Sequence, residues 1–328
     1  MKNYLTPTYI ENHSIYDVFY SPENIIVIIV AAFKGPVDIR LIEGSETSKF
    51  SVISNPYQHI YTHPSTDYSR QIKISIDGVE SDLSVNRYVD CSGQIIMSTL
   101  VKNQNNYIIQ WIEYNRDRGI ERFIIYDNSA NYTLGDLLAD YIATGRVILI
   151  KWAYPYWLPK GPSSPGAQVT QQNHSIYAFR DARYIGLMDV DEYLNPQGSY
   201  SDLTALFNDL SKTLDTEEIS AFQIRNRFFY NPDKLPCDGY RFLEIYTCDE
   251  ITKVKREKCF VIPKNVRTFD VHHVKVGKPM HQVNCSLLYF NHYCYLNNPR
   301  KLGLTRIELT DNSVKSHADR LVTRLKTS

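Results

Sequence analysis

An apolar run that ends in three carboxylates constrains this chain more than any other stretch. Residues 184–188 read Tyr-Ile-Gly-Leu-Met, and Asp189, Asp191 and Glu192 follow directly. The apolar residues predict a strand that is buried on both faces. In extended backbone Asp189 and Asp191 leave the same face of the strand, so their charges repel. Burying them together is costly unless a cation lies between them, and the pattern therefore predicts a divalent metal with hard oxygen ligands.

The chain around this run alternates strand-like and helix-like patterns. The predicted strands are 94–101, 123–126 and 147–150, and the predicted helices are 106–118, 134–143 and 168–180. Repeated β-α-β units predict an α/β fold, a Rossmann-like and mostly parallel sheet flanked by helices. Later segments favour strands at 219–229, 241–247, 260–262 and 286–290, and an amphipathic helix at 313–326.

The pattern changes at two places and divides the chain into three predicted parts. Residues 1–90 hold short alternating runs that are broken by turn residues, which favours a small β-rich N-terminal module. We expect the α/β domain over 91–300 and a helical tail over 301–328. The tail could contact a membrane surface or a second subunit, although packing within the chain is the commoner role for such a helix.

Polar residues also end two other predicted strands. Asp127 follows the apolar run 123–126, and Lys102 and Asn103 follow the strand 94–101. Carboxyl ends of strands in a doubly wound sheet meet at one crevice, where Asp127 could bond the ribose or base of a nucleotide. The alternatives are an Asx turn at Asp127, which is commoner for such a residue alone, and a solvated turn at Lys102 and Asn103.

Composition narrows the class of partner. The chain has 36 basic and 36 acidic residues among its 328, which argues against nucleic acid as a partner. The first residues have no signal-peptide pattern, and the longest apolar stretch, 25–33, is about half the ~20 residues that cross a bilayer. We therefore expect a soluble, cytoplasmic protein without a transmembrane segment.

Two other interpretations of the acidic run can be tested against its spacing. An EF-hand loop that begins at Asp189 would need Gly at position 194, where the chain has Leu194, so the spacing excludes it. A phosphatase with an Asp nucleophile also places Asp-x-Asp after a strand, but a small hydroxyl residue usually follows two positions later. Here Glu192 and Tyr193 intervene, and the phosphatase stays a minor alternative.

Several segments resemble glycosyltransferase family 92 and its family 2-like relatives in order and spacing. They are LVKN at 100–103, IQWIEY at 109–114, GIERFIIYDNS at 119–129 and DVDEY at 189–193. This likeness covers about residues 95–200, and FNHY at 290–293 resembles the C-terminal His-Tyr element of the family. Gln104 departs from the acid that relatives carry there, which puts the donor contacts of that loop in question.

The resemblance implies a GT-A fold and a hexosyltransferase. The donor would be a nucleotide sugar, in particular a UDP-sugar, and the acceptor a saccharide or glycan. Mn²⁺ or Mg²⁺ would offset charge on the leaving diphosphate, with inversion at the anomeric carbon. The expected donor-binding residues are Lys102, Asn103, Asp127 and Asp189. A non-catalytic sugar-binding protein with the same fold is the main alternative, and it would bind saccharides without needing a metal.

The expected metal ligands are Asp189, Asp191 and a histidine from the C-terminal part. We favour His273, because the strand-like 271–274 would aim one ring inward, and His292 is the alternative. No residue is identifiable as the base that an inverting mechanism needs, and the weak candidates are Asp238, Asp233 and Glu244. Two clusters can be interpreted in more than one way. For the cations at 253, 255, 256 and Lys258, a solvated face is favoured. The aromatic and amide side chains that could contact sugar are Trp152, Tyr154, Tyr156, Trp157, Gln171, Gln172 and Asn173.

Overall fold

The computed structural model describes residues 4–5, 7–32, 35–65, 68–157, 165–229, 247–248, 256–293 and 309–310. Strands make up 46% of the described residues and helices 19%. The expected Rossmann-like, mostly parallel sheet flanked by helices is therefore wrong, since antiparallel sheets and a curled half-barrel take its place. The predicted helix 313–326 and nearly all of the predicted strand 241–247 lie outside the described residues.

Two largely antiparallel sheets occupy the first 90 residues. Their strands and the first strand of the central sheet are β1 (Tyr4–Leu5), β2 (Thr8–Ile10), β3 (His13–Ser21), β4 (Ile25–Ala31), β5 (Ile39–Glu43), β6 (Glu46–Lys49), β7 (Ser51–Ser54), β8 (Gln58–Pro64), β9 (Gln71–Ile76), β10 (Val79–Ser84) and β11 (Asn86–Arg87). One sheet has the order β11-β3-β4-β8-β7, with β2 beside β3, and the other has the order β10-β9-β5-β6. In β9 the buried residues alternate with more accessible ones, as expected for a strand with one face on a core.

The central sheet contains most of the later strands. The elements after residue 90 are β12 (Ile95–Val101), α1 (Asn105–Arg116), β13 (Arg122–Asp127), α2 (Leu134–Leu137), α3 (Ala139–Ala143), β14 (Val147–Trp152), α4 (Gly166–Ala178), β15 (Tyr184–Leu187), β16 (Glu192–Pro196), α5 (Leu203–Thr213), β17 (Ala221–Phe228), β18 (Thr247–Cys248), β19 (Lys258–Val261), a 3-10 helix (Pro263–Asn265), β20 (Val266–Asp270), β21 (His273–Gly277), β22 (Met280–Gln282), β23 (Leu288–His292) and β24 (Leu309–Thr310). The strand order is β1-β14-β13-β12-β15-β19-β17-β23-β16, whereas β20 and β21 form a sheet of their own.

Only one half of the central sheet has the predicted parallel arrangement. Strands β1, β14, β13, β12 and β15 run parallel, whereas β19 is antiparallel to both of its neighbours and β16 is antiparallel to β23. A helix follows each of β12, β13 and β14, which permits a parallel crossover. After β15 a tight turn leads directly into β16, and no helix intervenes between β19 and β23 among the described residues except one 3-10 turn. The antiparallel pairs β15–β19 and β16–β23 instead join strands that are distant in the sequence, so the β-α-β pattern does not continue beyond β15.

Helix α4 is buried along its whole length. It packs against β12, β20 and β3, so it lies between the central sheet and the N-terminal strands. The interpretation that its amides face a sugar is wrong for two of them. Gln171 Nε2 donates to Ser98 Oγ at 2.6 Å, and Asn173 Nδ2 donates to the carbonyl of Phe269 at 2.9 Å. These amides satisfy buried polar groups, as the interior of a protein requires.

A buried polar cluster joins the N-terminal strands to the central sheet. Asp17 Oδ2 lies 2.7 Å from Nε2 of His174 and accepts from the Tyr88 hydroxyl at 2.5 Å. The hydroxyl of Tyr126 lies 2.6 Å from Nδ1 of the same imidazole. Since the side chains of Asp17 and His174 are wholly buried, this cluster ties β3 to β13 and α4. No helix among the described residues is both long and apolar enough to cross a membrane.

Candidate metal and donor site

The ends of three parallel strands build the first part of the site. The register places Val101, Asp127 and Lys151 side by side at the carboxyl edge of the sheet. Asn128 then joins the ends of the three strands by hydrogen bonds. Its N–H donates to the carbonyl of Val101 at 2.8 Å, and its side-chain amide donates to the carbonyl of Trp152 at 2.6 Å. Trp152 is buried, so it is unavailable for stacking on a sugar.

Asp127 forms the Asx turn that was the alternative for this residue. Its Oδ1 accepts the N–H of Ser129 at 2.9 Å. Its Oδ2 is buried and has no hydrogen-bond partner within the described structure. Because an unpaired buried acceptor is uncommon, this oxygen is a candidate contact for a bound hydroxyl or amide.

Lys102 and Asn103 are exposed at the same edge. The ammonium of Lys102 lies 4.6 Å from the ring centre of Tyr156, and Trp157, 52% exposed, packs edge-on against that ring. Asn103 has a left-handed φ of 57° and donates its backbone N–H to Ser129 Oγ at 3.0 Å. The structure therefore brings the three predicted donor residues of these loops to one face.

The acidic run forms a turn rather than the end of a strand. Strand β15 ends at Leu187, and the N–H of Glu192 donates to the carbonyl of Asp189 at 3.1 Å. The expectation that Asp189 and Asp191 share one face of an extended strand is therefore wrong. The turn gives their carboxylates different neighbours, because an i to i+3 hydrogen bond reverses the chain between them.

Asp189 lies in an ion pair with a lysine that is distant in the sequence. Its Oδ2 is 2.7 Å from Nζ of Lys258, and its Oδ1 accepts from Nε2 of Gln168 at 2.6 Å. The Lys258 side chain is 1% exposed and also lies 3.3 Å from Glu192 Oε2, so the interpretation of this lysine as part of a solvated face is wrong. Although burial raises the pKa of Asp189, the ammonium of Lys258 outweighs it and leaves that pKa below its usual value.

Asp191 meets two other potential ligands at the next pair of strands. The register of β16 and β23 places Glu192 opposite His292. Nε2 of His292 lies 3.6 Å from Asp191 Oδ2, and its Nδ1 lies 3.6 Å from Glu192 Oε1. One potential ligand atom from each of the three residues lies within 4.8 Å of the others. Among the described residues this is the one group with that spacing.

The electrostatics of the group are strongly perturbed. Burial raises the pKa of Glu192 to about 8, despite the nearby ammonium of Lys258. Burial lowers the pKa of His292, but the carboxylates of Asp191 and Glu192 outweigh it and raise that pKa. Clustered perturbed groups of this kind are typical of functional sites.

The structure places one of the candidate histidines in the cluster and the other outside it. His292, the alternative, belongs to the cluster, whereas the favoured His273 lies on β21, which pairs with β20 and with no other described strand. The ring of His272 is hydrogen-bonded to the backbone carbonyl of Glu257, and burial lowers the pKa of His272 to about 4. The candidate bases Asp233, Asp238 and Glu244 lie outside the described residues.

Comparison with known proteins assigns the chain to a family. A family model described as glycosyltransferase family 92 matches residues 96–326, which include both strand-edge loops and the acidic cluster. The chain belongs to glycosyltransferase family 92. The resemblance seen in the sequence is thereby confirmed, and the phosphatase alternative loses its basis.

Plant members of family 92 show the extent of the similarity. A family 92 protein of Oryza sativa subsp. japonica is 25% identical over 205 residues, which are 60% of this chain and 32% of that protein. A family 92 protein of Ricinus communis is 23% identical over 211 residues, which are 62% of this chain and 35% of that protein. The chain thus matches about a third of the length of these curated relatives.

The donor set of the cluster suits a hard or borderline divalent cation. Asp191 and Glu192 offer carboxylate oxygens, the ligands that Mn²⁺ and Mg²⁺ prefer, and His292 adds an imidazole nitrogen that suits a borderline cation. Glu192 Oε1 is buried without a hydrogen-bond partner among the described residues, so this acceptor is available to coordinate a cation. The residues present therefore fit such an ion.

Proposed function

We propose that this member of family 92 transfers a sugar from a nucleotide-sugar donor to a saccharide acceptor. The observation that carries the proposal is the group formed by Asp191, Glu192 and His292 beside the carboxyl edge of the parallel strands. Open sheets bind ligands at that edge, and the family match spans every residue of the group. The donor is taken to be a UDP-sugar and the reaction to invert the anomeric centre, as the family resemblance implies.

The reaction breaks the bond between the anomeric carbon and the diphosphate oxygen. The diphosphate leaves with the electron pair, and an acceptor hydroxyl attacks the same carbon and passes its proton to a general base. Negative charge develops on the diphosphate, so cations that are already in place are the main catalytic requirement. A divalent ion held by Asp191 and His292 would supply that charge compensation.

We assign the remaining contacts with the donor to residues of the chain itself. Asp127 has a buried oxygen at the strand edge without a hydrogen-bond partner in the described part of the chain, and we assign it to a ribose hydroxyl or a base amide. The exposed ammonium of Lys102 lies on the same edge and can approach a phosphate oxygen. Trp157 presents an exposed ring beside Tyr156, where it can stack on a flat face of a base or sugar.

The test is sugar transfer by the full chain from a panel of nucleotide sugars, measured as nucleoside diphosphate released. We expect release with Mn²⁺ or Mg²⁺ and none with EDTA. Asp191→Asn should reduce it about 100-fold or more, since the loss of a charged ligand costs several kcal/mol of charge stabilisation. The matched control is Asp82→Asn, the same chemical change at an exposed position on β10. Equal activity of the Asp191 and Asp82 variants would refute the proposed site.

A further inference from the structure

The buried lysine Lys258 has no role in the function proposed above. It lies on β19 between β15 and β17, and its side chain is 1% exposed. A buried ammonium is costly unless it is paired, and here it contacts two carboxylates, at 2.7 Å on Asp189 and 3.3 Å on Glu192. The ammonium thus occupies the place between two acids that a metal ion would otherwise take.

The hydrogen bonds of Asp189 leave it little capacity for a second cation. One oxygen is paired with Lys258, and the other accepts from Gln168 at 2.6 Å, on the buried helix α4. The Asp189 side chain is 36% exposed, so accessibility alone would not keep a metal away from it. A metal could use Asp189 only by breaking its 2.7 Å ion pair and leaving the buried Lys258 with the longer contact to Glu192, which is unfavourable.

The two neighbouring acids are arranged differently. Glu192 uses Oε2 for Lys258 and for the backbone N–H of Asp189, at 2.8 Å, while Oε1 faces His292. The Asp191 side chain has no ion pair with Lys258 and lies instead beside His292. The lysine therefore divides the acidic run into a part that is neutralised within the protein and a part that faces the histidine.

We propose that Lys258 is a built-in cation that withholds Asp189 from the metal and holds the 189–192 turn, so that Asp191 and His292 provide the exchangeable metal site. The assignment rests on the proposed function, since it concerns the same metal. A site with few protein ligands leaves coordination positions open for diphosphate oxygens, as is usual where a metal bridges protein and substrate phosphates. Lys258 is thus a positioning residue rather than a catalytic one.

The experiment measures Mn²⁺ binding to the full chain by electron paramagnetic resonance of the free ion, with thermal unfolding as a check on folding. Asp191→Asn should weaken binding about 10- to 100-fold, whereas Asp189→Asn, the same change two residues away, should alter it by less than about 3-fold. Lys258→Met should tighten binding about 10-fold, because Asp189 becomes available as an additional ligand. Adding Asp189→Asn to Lys258→Met should remove that gain.

The outcomes separate this inference from the proposed function. Equal loss of Mn²⁺ binding in the Asp189 and Asp191 variants would overturn the role of Lys258 without contradicting the proposed metal site. Unchanged or weaker binding in a folded Lys258→Met variant would overturn it as well. If that variant does not fold, the comparison of the two Asp→Asn variants decides. If the wild-type chain binds no Mn²⁺, the metal of the proposed function is refuted, and binding gained by Lys258→Met would then support the lysine's role as a resident cation.

Discussion

The replacement of Asp17 by Asn tests whether the N-terminal strands are an integral part of the fold. Asp17 accepts four hydrogen bonds: from the N–H of Val18 and the amide of Asn86 on Oδ1, and from the hydroxyl of Tyr88 and the ring of His174 on Oδ2. An Asn side chain offers an acceptor on one side only, so two donors would face an NH₂ group. Breaking a buried charged network in this way costs about 3 to 5 kcal/mol.

The assay is thermal unfolding of the purified chain. A loss of about 3 to 5 kcal/mol corresponds to a fall in Tm of roughly 6 to 10 °C for a protein of this size. The control is Asp82→Asn, an exposed carboxylate on β10, which should change Tm by less than about 1 °C. A Tm for Asp17→Asn within about 2 °C of the wild type would refute the reasoning, because it would mean that the cluster with His174 and Tyr126 does not join the layers.

Two further substitutions test the packing and the charge of the fold. Gly186→Ala places a Cβ 2.7 Å from the ring of Phe260, so we expect a loss of about 1 to 3 kcal/mol in urea unfolding, and an unchanged midpoint would contradict the packing. Burial and the neighbouring Asp90 raise the pKa of Asp181 from 3.8 to about 6. The ionised carboxylate therefore lowers the free energy of unfolding. This penalty is at its full size above pH 7, and it declines as the pH falls from 6 towards 3.8. Asp181→Asn should therefore stabilise the protein by about 1 kcal/mol at pH 8, after allowance for partial exposure, and by less at pH 5, and an equal gain at both pH values would refute this.

The parallel half of the central sheet was largely predictable from the sequence. Continuous apolar runs identified β12, β13 and β14 to within two residues at each end, because strands buried on both faces contain few polar residues. Helix α5 was not predicted, although Asp202 caps it by accepting the N–H of Ala205. The pairing in the antiparallel half could not be derived, since β15, β16, β19 and β23 have only four or five residues and carry no signal for the partner or the direction of pairing.

The sequence predicted which residue types form the site better than it predicted the contacts between them. Asp191 and the edge residue Asp127 follow from the apolar runs before them. The pairing of Glu192 with His292 depends on the register of β16 and β23, which joins residues 100 positions apart and which one sequence does not reveal. Lys258 was interpreted as a solvated cation because it stands in a charged run, and its burial depends on Asp189, 69 residues away.

The proposed function requires a divalent cation at Asp191 and His292, beside the carboxyl edge of the parallel strands. The most direct measurement is a crystal structure of the chain grown with UDP and Mn²⁺, with the metal located by its anomalous scattering. We predict a single strong peak in coordination contact with the Asp191 carboxylate and the His292 ring, with the diphosphate on its open side. A peak elsewhere, or an ordered nucleotide with both side chains bound only to water, would contradict it.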